Sequence, residues 1–208
     1  MKKVKTKKII KLVVWLIILA VVAAGVLKFA PIVVGGYRMY KNAFDEEAFL
    51  EMVDDIRSSD GYVTIDEIST EYTTKLVSVE DHRFYYHFGI DPIAICRAVS
   101  VDIMCGRIVE GGSTITQQLA KNLLFTHDQT YERKVAEVFA STQIERLFTK
   151  DEILELYCNV IYYGEDCYGI YNASEHYYDI LPSQLDAEEA AAMVRTIRSP
   201  NTLNPNCA

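Results

Sequence analysis

The chain opens with a long apolar segment that contrasts with the polar residues around it. Leu12 to Leu27 is sixteen residues without a charge, and Phe29 to Val34 continues the apolar stretch beyond Lys28. A helix that crosses a bilayer needs about 20 mostly apolar residues, and lysines at its ends can reach toward the headgroups. The pattern therefore predicts a membrane-spanning helix over residues 12–34.

Beyond this segment, hydrophobic residues recur three and four positions apart, which is typical of amphipathic helices, and strand-like alternation is scarce. One such face is marked by Ala136, Ala140, Ile144 and Leu147. The capping-box patterns Thr149-x-x-Glu152 and Asp186-x-x-Glu189 predict further helix starts. Gly35-Gly36 should punctuate the chain. We therefore expect a linker over residues 35–44 and one mainly helical domain over residues 45–208.

Charge is distributed unevenly along the chain. Residues 1–11 contain six lysines and no acid, whereas the rest carries 15 basic and 29 acidic residues, a net charge of −14. Lysines before the span favour a cytoplasmic tail over residues 1–11 and place the later residues outside the cell. A cleaved signal peptide at Ala23-Ala24-Gly25 is the rival, but the chain stays apolar beyond it. The acidic body argues against nucleic acid as a partner.

The five cysteines do not form a C-x-x-C pair, so a structural zinc site is not indicated. Their odd number leaves at least one thiol unpaired within a single chain. The 96/105 and 158/167 spacings permit disulfides but do not argue for them. We expect isolated, mostly buried cysteines.

Three polar clusters carry the candidate chemistry. The first is Glu80-Asp81-His82-Arg83-Phe84, followed by His87 and Gly89. The second runs from Gly111 to Gln118 and is followed by Lys121 and Asn122. The third is Arg133-Lys134-Val135-Ala136-Glu137.

In the first cluster, Glu80 follows the apolar run Leu76-Val77-Ser78-Val79. A carboxylate at the edge of a packed helix can be partly desolvated, which suits it to proton transfer. A solvated glutamate at a helix end, paired with Arg83, is the commoner case for a lone residue. The pattern of this cluster alone leaves both interpretations open.

The other two clusters supply groups that bind anions. If a helix begins at Gly-Gly-Ser-Thr, its free amides form an anion site, although the same residues also make an ordinary helix cap. Arg133, Lys134 and Glu137 are spaced as intrahelical ion pairs, which are either exposed and weak or hold the glutamate ionised. Two glutamates, several cations and such a turn suit the transfer of a sugar from a phosphate leaving group.

Taken in order, the clusters resemble the motifs of the peptidoglycan glycosyltransferases, glycosyltransferase family 51, which also form the N-terminal module of class A penicillin-binding proteins. The family pattern E-D-x-x-F-x-x-H-x-G is matched by Glu80, Asp81, Phe84, His87 and Gly89. G-x-S-T-I/L-x-Q-Q is matched from Gly111 to Gln118, and R-K-x-x-E by Arg133, Lys134 and Glu137. K-x-x-I-L-x-x-Y-x-N is matched by Lys150, Ile153, Leu154, Tyr157 and Asn159.

The resemblance implies a mainly α-helical, lysozyme-like domain with a smaller membrane-associated lobe, preceded by one transmembrane helix. The implied reaction polymerises lipid II, an undecaprenyl-pyrophosphoryl disaccharide-pentapeptide, into glycan strands. It inverts the anomeric carbon and releases undecaprenyl pyrophosphate. The expected partners are lipid II, the growing strand, the bacterial membrane and cell-wall transpeptidases.

The resemblance also assigns roles to residues of this chain. Glu80 is the implied general base, and Glu137, the second implied catalytic residue, lies near the leaving pyrophosphate and helps hold it. A divalent Mg or Mn ion at Glu137 is compatible with the resemblance but is not established by the sequence. The implied substrate-binding residues are Asp81, Arg83, His87, Ser113, Thr114, Gln117, Gln118, Lys121, Arg133 and Lys134.

Several features depart from the family pattern or leave alternatives open. Gln129 stands where a basic residue is common, which predicts weaker phosphate binding. Met193 to Pro200 replaces the usual L-A-G-L-P-Q-x-P, which puts the local fold there in question. The absence of S-x-x-K and K-T-G motifs resembles the monofunctional branch of the family or a piece of a larger protein. The stretch Ile93 to Ile108 is either a surface that enters the headgroups or an amphipathic core helix.

Two other functions remain as alternatives. A lysozyme-like glycan-cleaving enzyme would share the helical fold and an essential glutamate, but it would not need the cation-rich second and third clusters. A non-catalytic scaffold that binds lipid II or cell-wall partners is favoured by Gln129 and the altered last motif, whereas the intact Glu80 and Glu137 argue against it.

Overall fold

The protein is described by a computed structural model that covers residues 2–107, 111–126 and 128–207, without the side chains of residues 2–10. Its α-helices are α1 (Lys2–Ala43), α2 (Glu46–Arg57), α3 (Thr70–Glu80), α4 (Pro92–Cys105), α5 (Ile115–Leu124), α6 (Tyr131–Leu147), α7 (Lys150–Val160), α8 (Ile170–Tyr178) and α9 (Ala187–Arg198). Within these ranges the β-structure is a single bridge between Tyr162 and Tyr168. The prediction of a mainly α fold is confirmed, and the helices fit a lysozyme-like domain.

Helix α1 contains the apolar segment. In the described part of the chain, Lys11–Ala43 is the one helical stretch long and apolar enough to cross a membrane, and its most apolar window is not buried against the protein. Large side chains such as Trp15 and Leu27 are exposed along it. These properties are those of the predicted span.

The glycine pair does not interrupt this helix, contrary to the expected punctuation, because it lies where α1 crosses α6. A Cβ on Gly36 would lie 2.5 Å from the Cβ of Val135 and 2.6 Å from the carbonyl oxygen of Glu132. The absence of a side chain therefore lets the two helices approach closely. Helix α1 continues into the domain, where Tyr40 stacks on Phe139 with ring centroids 5.7 Å apart. The boundaries of the anchor and linker as separate regions stay a prediction.

Helix α5 is the central element of the core, since it packs against both α6 and α7. Its side chains Ile115 and Leu119 are fully buried, as are Ile144 of α6 and Ile153 of α7. Helix α3 packs against α9 on another side. Hydrogen bonds from α5 to Glu80 and Asp81 hold the C-terminal end of α3 close to α5, which positions the first two polar clusters together.

The predicted helix starts at Thr149 and Asp186 are confirmed. The backbone amide of Thr149 donates to Oε2 of Glu152 at 2.8 Å, and the amide of Glu152 donates back to Oγ1 of Thr149 at 3.3 Å. Asp186 accepts hydrogen bonds from the amides of Glu188 and Glu189. Reciprocal contacts of this kind satisfy amides that would otherwise lack a partner at the helix start.

The cysteines do not follow the expected burial. All five thiols are free, but only Cys158 and Cys167 are buried, so the prediction of mostly buried cysteines is wrong. Cys96 and Cys105 are exposed because they lie on α4, which contributes only Ala98 to the buried residues.

In the altered last motif the turn after α9 is ordered: Nδ2 of Asn204 donates to the carbonyl oxygen of Pro200 at 2.9 Å.

Helix α4 covers most of residues 93–108, for which the sequence left open a headgroup-facing surface or an amphipathic core helix. Its apolar residues Ile93, Val99, Ile103 and Met104 are exposed, so it is not an ordinary core helix. Residue 108 lies outside the described part of the chain. The helix is held at its start by Asp91, whose side chain accepts hydrogen bonds from the amides of Ile93 and Ala94.

Candidate active site

Glu80 is the last residue of α3 and is partly buried. Its Oε2 accepts a hydrogen bond of 2.8 Å from the side-chain amide of Gln118 on α5. The carbonyl oxygen of the same amide accepts from the hydroxyl of Tyr157, which is completely buried on α7. Three helices therefore fix the direction of the Glu80 carboxylate, while its remaining oxygen has no hydrogen bond from the described residues.

The start of α5 is organised by Asp81. Its Oδ2 accepts from the backbone amide of Ile115 at 3.0 Å, and its carboxylate lies 2.9 Å from Nε2 of His87. Thr114 and Gln117 form a capping box, and the Thr114 hydroxyl donates to the carbonyl oxygen of Gly89. These contacts are internal, so the four side chains shape the loop before α5, and Asp81 and Thr114 also line a small cavity beside Glu80.

Arg83 also makes an internal contact, with Asp91. Its guanidinium binds both carboxylate oxygens of Asp91 at 2.7 Å. Burial alone would raise the pKa of Asp91, but hydrogen bonds from Arg83 and from the amide of Ala94 leave this pKa below its usual value. The pair ties the loop after α3 to the first turn of α4.

Glu137 is 1% exposed on α6 and is surrounded by cations. Its Oε2 accepts a 2.7 Å hydrogen bond from Nζ of Lys134, and its Oε1 lies 3.3 Å from a guanidinium nitrogen of Arg133. Nζ of Lys134 also donates to Oγ of Ser113 at 3.1 Å. The third cluster is thereby joined to the loop of the second cluster.

Lys121 stands between these groups on α5. Burial lowers the pKa of its ammonium, the attraction of Glu137 opposes this shift, and repulsion by Lys134 and Arg133 adds to it. Glu80 is also within electrostatic range of Lys121. No hydrogen-bond partner for the Lys121 ammonium is present among the described residues, so this cation is available to a ligand.

An open cleft, which we call the Glu80 cleft, lies between the first and second clusters. It has a volume of about 450 Å³ and is lined by Val79, Glu80, Arg97, Gly111, Ser113, Gln118, Ile197 and Arg198. An adjoining cavity of about 200 Å³ shares Glu80, Arg97, Gly111 and Ser113 with it. A cleft of this size accommodates a small ligand or a segment of a larger one. A carboxylate and two arginines thus line one concave surface.

The contacts of Glu137 do not fit a metal site built from protein side chains. Within the described ranges, no three His, Cys, Asp or Glu side chains gather in a way that could hold a metal ion. Both oxygens of Glu137 already face Lys134 and Arg133. A divalent ion at Glu137 would have to displace one of these cations, and its binding there stays a prediction.

The structure brings most of the predicted site residues together, but only some of them line the Glu80 cleft. Glu80, Ser113 and Gln118 line the Glu80 cleft, and Lys121 and Lys134 are linked to it electrostatically or through Ser113. For Asp81, Arg83, His87, Thr114 and Gln117, whose polar groups make internal contacts, direct substrate binding stays a prediction.

Four residues of the site were not identified as such from the sequence: Tyr157, Asp91, Arg97 and Arg198. Tyr157 lies within a matched motif, which was a usable signal. Asp91 directly precedes Pro92, and this is a helix-start signal. Arg97 and Arg198 lie 14 residues before Gly111 and at the end of α9, respectively, and no local pattern connects them to Glu80.

Comparison with known proteins shows which family the chain resembles over the domain. Residues 46–208 match the family model described as Transglycosylase. Penicillin-binding protein 1A of Aquifex aeolicus is 46% identical over 144 residues, which are 69% of this chain and 20% of that protein. Penicillin-binding protein 1A of Escherichia coli is 45% identical over 143 residues, 69% of this chain and 17% of that protein.

A Cupriavidus necator protein whose name places it among the transglycosylases is 41% identical over 156 residues, 75% of this chain and 67% of that protein. The chain thus spans about a fifth of the penicillin-binding proteins that it matches. The family match extends over the domain that holds the Glu80 cleft, and the chain belongs to the transglycosylase family, the peptidoglycan glycosyltransferases.

Proposed function

We propose that this chain polymerises lipid II into glycan strands and releases undecaprenyl pyrophosphate. The observation that carries the proposal is the arrangement of opposite charges around one cleft. Glu80 presents a carboxylate oxygen there, while Lys134 reaches the same cleft through Ser113 and Lys121 lies within electrostatic range of both Glu80 and Glu137. A base and a set of cations are what sugar transfer from a pyrophosphate requires.

In the proposed reaction, Glu80 accepts the proton of the acceptor sugar's 4-hydroxyl. The hydroxyl oxygen forms a bond to the anomeric carbon of the donor sugar, and the bond from that carbon to the pyrophosphate oxygen breaks. The electron pair leaves with the pyrophosphate. A single displacement inverts the anomeric carbon and needs no covalent nucleophile. Gln118 holds the Glu80 carboxylate in place, supported by Tyr157.

The positive side chains stabilise the leaving group. Negative charge grows on the pyrophosphate in the transition state, and fixed cations in a partly buried site stabilise it without reorganisation. Lys121 and Lys134 are the contacts that we propose for the phosphates. Arg133 and Glu137 keep Lys134 in position. Ser113 and the backbone amides before α5 bind sugar or phosphate oxygens.

The lipid tail of the substrate explains the hydrophobic surfaces. We propose that residues 12–34 anchor the chain as a single-pass cell-membrane protein with a cytoplasmic N-terminus and an extracytoplasmic domain. Helix α4 then forms the smaller membrane-associated lobe, since its exposed apolar residues include Ile103 and Met104. Such a surface reduces its contact with water by entering the headgroup region.

Glu80→Gln tests the proposal. Glutamine keeps the shape and the contact with Gln118 but cannot accept a proton. The variant should fold, bind lipid II and polymerise it at least about a hundredfold more slowly, the usual scale for a lost acid–base group. Labelled lipid II is incubated with the full-length chain, and the products are resolved by length. Glu71→Gln, an exposed change on the same helix, is the matched control and should polymerise normally.

The same assay separates the alternatives. A scaffold would make no polymer even without a substitution, and a glycan-cleaving enzyme would shorten preformed strands while leaving lipid II intact. If Glu80→Gln polymerises as fast as the unchanged chain, Glu80 is not the base.

A further inference from the structure

A second cavity lies where α1 leaves its apolar segment, away from the Glu80 cleft. We call it the anchor cavity. It has a volume of about 520 Å³, and one side is a face of α1 that includes Gly35, Arg38, Met39 and Asn42. The opposite side is formed by Leu124 to Thr126, Asp128, Thr130 and Arg133. Among the residues with a proposed role in binding lipid II, Arg133 is the one that lines this cavity in the described part of the chain.

Arg133 gives the anchor cavity an unsatisfied donor. Its side chain is 8% exposed, and its Nε has no hydrogen-bond partner among the described residues. One terminal nitrogen lies 3.3 Å from Glu137, so the rest of the guanidinium is free to bind elsewhere. A guanidinium that is almost buried and incompletely paired favours an anionic ligand in the cavity that it lines.

Two further features favour an anionic acceptor. Helix α6 begins beside the cavity: Thr130 is its N-cap, and the 17-residue helix directs its positive end there. Arg38 lines the same cavity, is exposed and has no ion-pair partner among the described side chains. Asp128 is the acid in the lining, and the hydroxyl of Thr126 donates to its carboxylate at 3.2 Å. The two arginines outnumber this acid.

The position of the cavity indicates which anion is available. It starts at Gly35, directly after Val34, the last residue of the apolar stretch. If residues 12–34 span the bilayer, Arg38 lies at the level of the headgroups. Met39, Leu124 and Phe125 add apolar walls that suit the beginning of an acyl chain.

We infer that the anchor cavity binds the phosphate group of a membrane phospholipid between Arg38 and Arg133. An acyl chain of this lipid follows α1 into the bilayer. The inference rests on the proposed membrane anchor but not on the polymerisation reaction. Because Arg133 contacts Glu137, a bound lipid also fixes the residue that holds Lys134 at the Glu80 cleft.

Lipid retention by the purified full-length chain tests the inference without any turnover. The protein in mild detergent is titrated with phosphatidylglycerol, and bound lipid is counted by native mass spectrometry. We expect one tightly retained lipid, and about tenfold weaker retention in Arg38→Gln, the scale of one lost charge-assisted contact. Arg195→Gln, an exposed arginine on α9, is the matched control and should retain lipid normally. Diacylglycerol, which lacks the phosphate, should not be retained.

Three results would overturn the inference. Arg38→Gln could retain phosphatidylglycerol as well as the unchanged chain, or diacylglycerol could bind equally well. Undecaprenyl pyrophosphate could also displace the phospholipid one for one and be the ligand that Arg38→Gln weakens. The cavity would then belong to the leaving group. If the unchanged chain retains phosphatidylglycerol but does not polymerise lipid II, the proposed function is contradicted and the lipid site is not.

Discussion

Lys121 occupies a position that is unfavourable for its own charge. Burial lowers the pKa of its ammonium, and the neighbouring Lys134 and Arg133 add repulsion that only Glu137 and Glu80 oppose. Nothing in the described part of the chain forms a hydrogen bond with it. A cation kept in such a place costs stability in the free protein, and this is common where a group is held ready for a ligand.

Lys121→Met should therefore separate stability from activity. Methionine keeps the apolar length of the side chain and removes the charge, so thermal stability should stay equal or rise. Lipid II turnover should fall at least about tenfold, because a charge-assisted contact is worth about 1.5–3 kcal/mol. Lys75→Met, an exposed change on α3, is the control for both measurements. Normal turnover in Lys121→Met would show that the leaving group is bound elsewhere.

The pH dependence of the unchanged chain has a definite sign. Because the folded pKa of Lys121 lies below its usual 10.5, the folded protein releases this proton first as the pH rises. The contribution of Lys121 to stability is therefore unfavourable at neutral pH and improves between the lowered pKa and 10.5. Turnover that needs the cation should decline over the same alkaline range, and Lys121→Met should lack that decline.

Helices α1 and α6 cross so closely at Gly36 that the fold leaves no space for a side chain there. Gly36→Ala should destabilise the domain by about 1–3 kcal/mol, the usual cost of overpacking, because its Cβ would lie 2.5 Å from Val135. The matched control is Gly25→Ala in the same helix, where a Cβ would meet nothing within 4 Å. Thermal unfolding in detergent, with the Gly25 variant unchanged and the Gly36 variant lowered, is the expected result. Equal melting temperatures would mean that the helices do not cross as described.

The same crossing shows which features could be predicted from sequence. Helix starts at Thr149 and Asp186 were predictable because capping depends on residues three positions apart. The role of Gly36 was not, because its contact is Val135 on another helix, and a glycine pair alone resembles a break. Similarly, the motif identified Glu80, but its link to Tyr157 passes through Gln118, which lies 39 residues before that tyrosine. The contact of Asp81 with the start of α5 was not predictable either, since only the fold shows which polar groups are already satisfied.

For the whole molecule, the distribution of charge predicts a topology. Six lysines precede the apolar segment and all 29 acids follow it, so the N-terminus should be cytoplasmic and residues 45–208 outside. A fluorescent reporter that matures only in the cytoplasm should be silent when fused after Ala208 and bright when fused before Met1. A bright C-terminal fusion would reverse the assignment.

The unbroken course of α1 has a mechanical consequence. A 42-residue helix is about 63 Å long, roughly twice the thickness of a bilayer's hydrocarbon core. Pro31 lies inside this helix and is the position where it can bend, and beyond it α1 packs on α6. If residues 12–34 span a bilayer, a tilt of that segment reaches the domain through this position. For a chain anchored in this way, a thicker bilayer would make residues 12–34 stand more upright or sink, and the height of the Glu80 cleft above the headgroups would change.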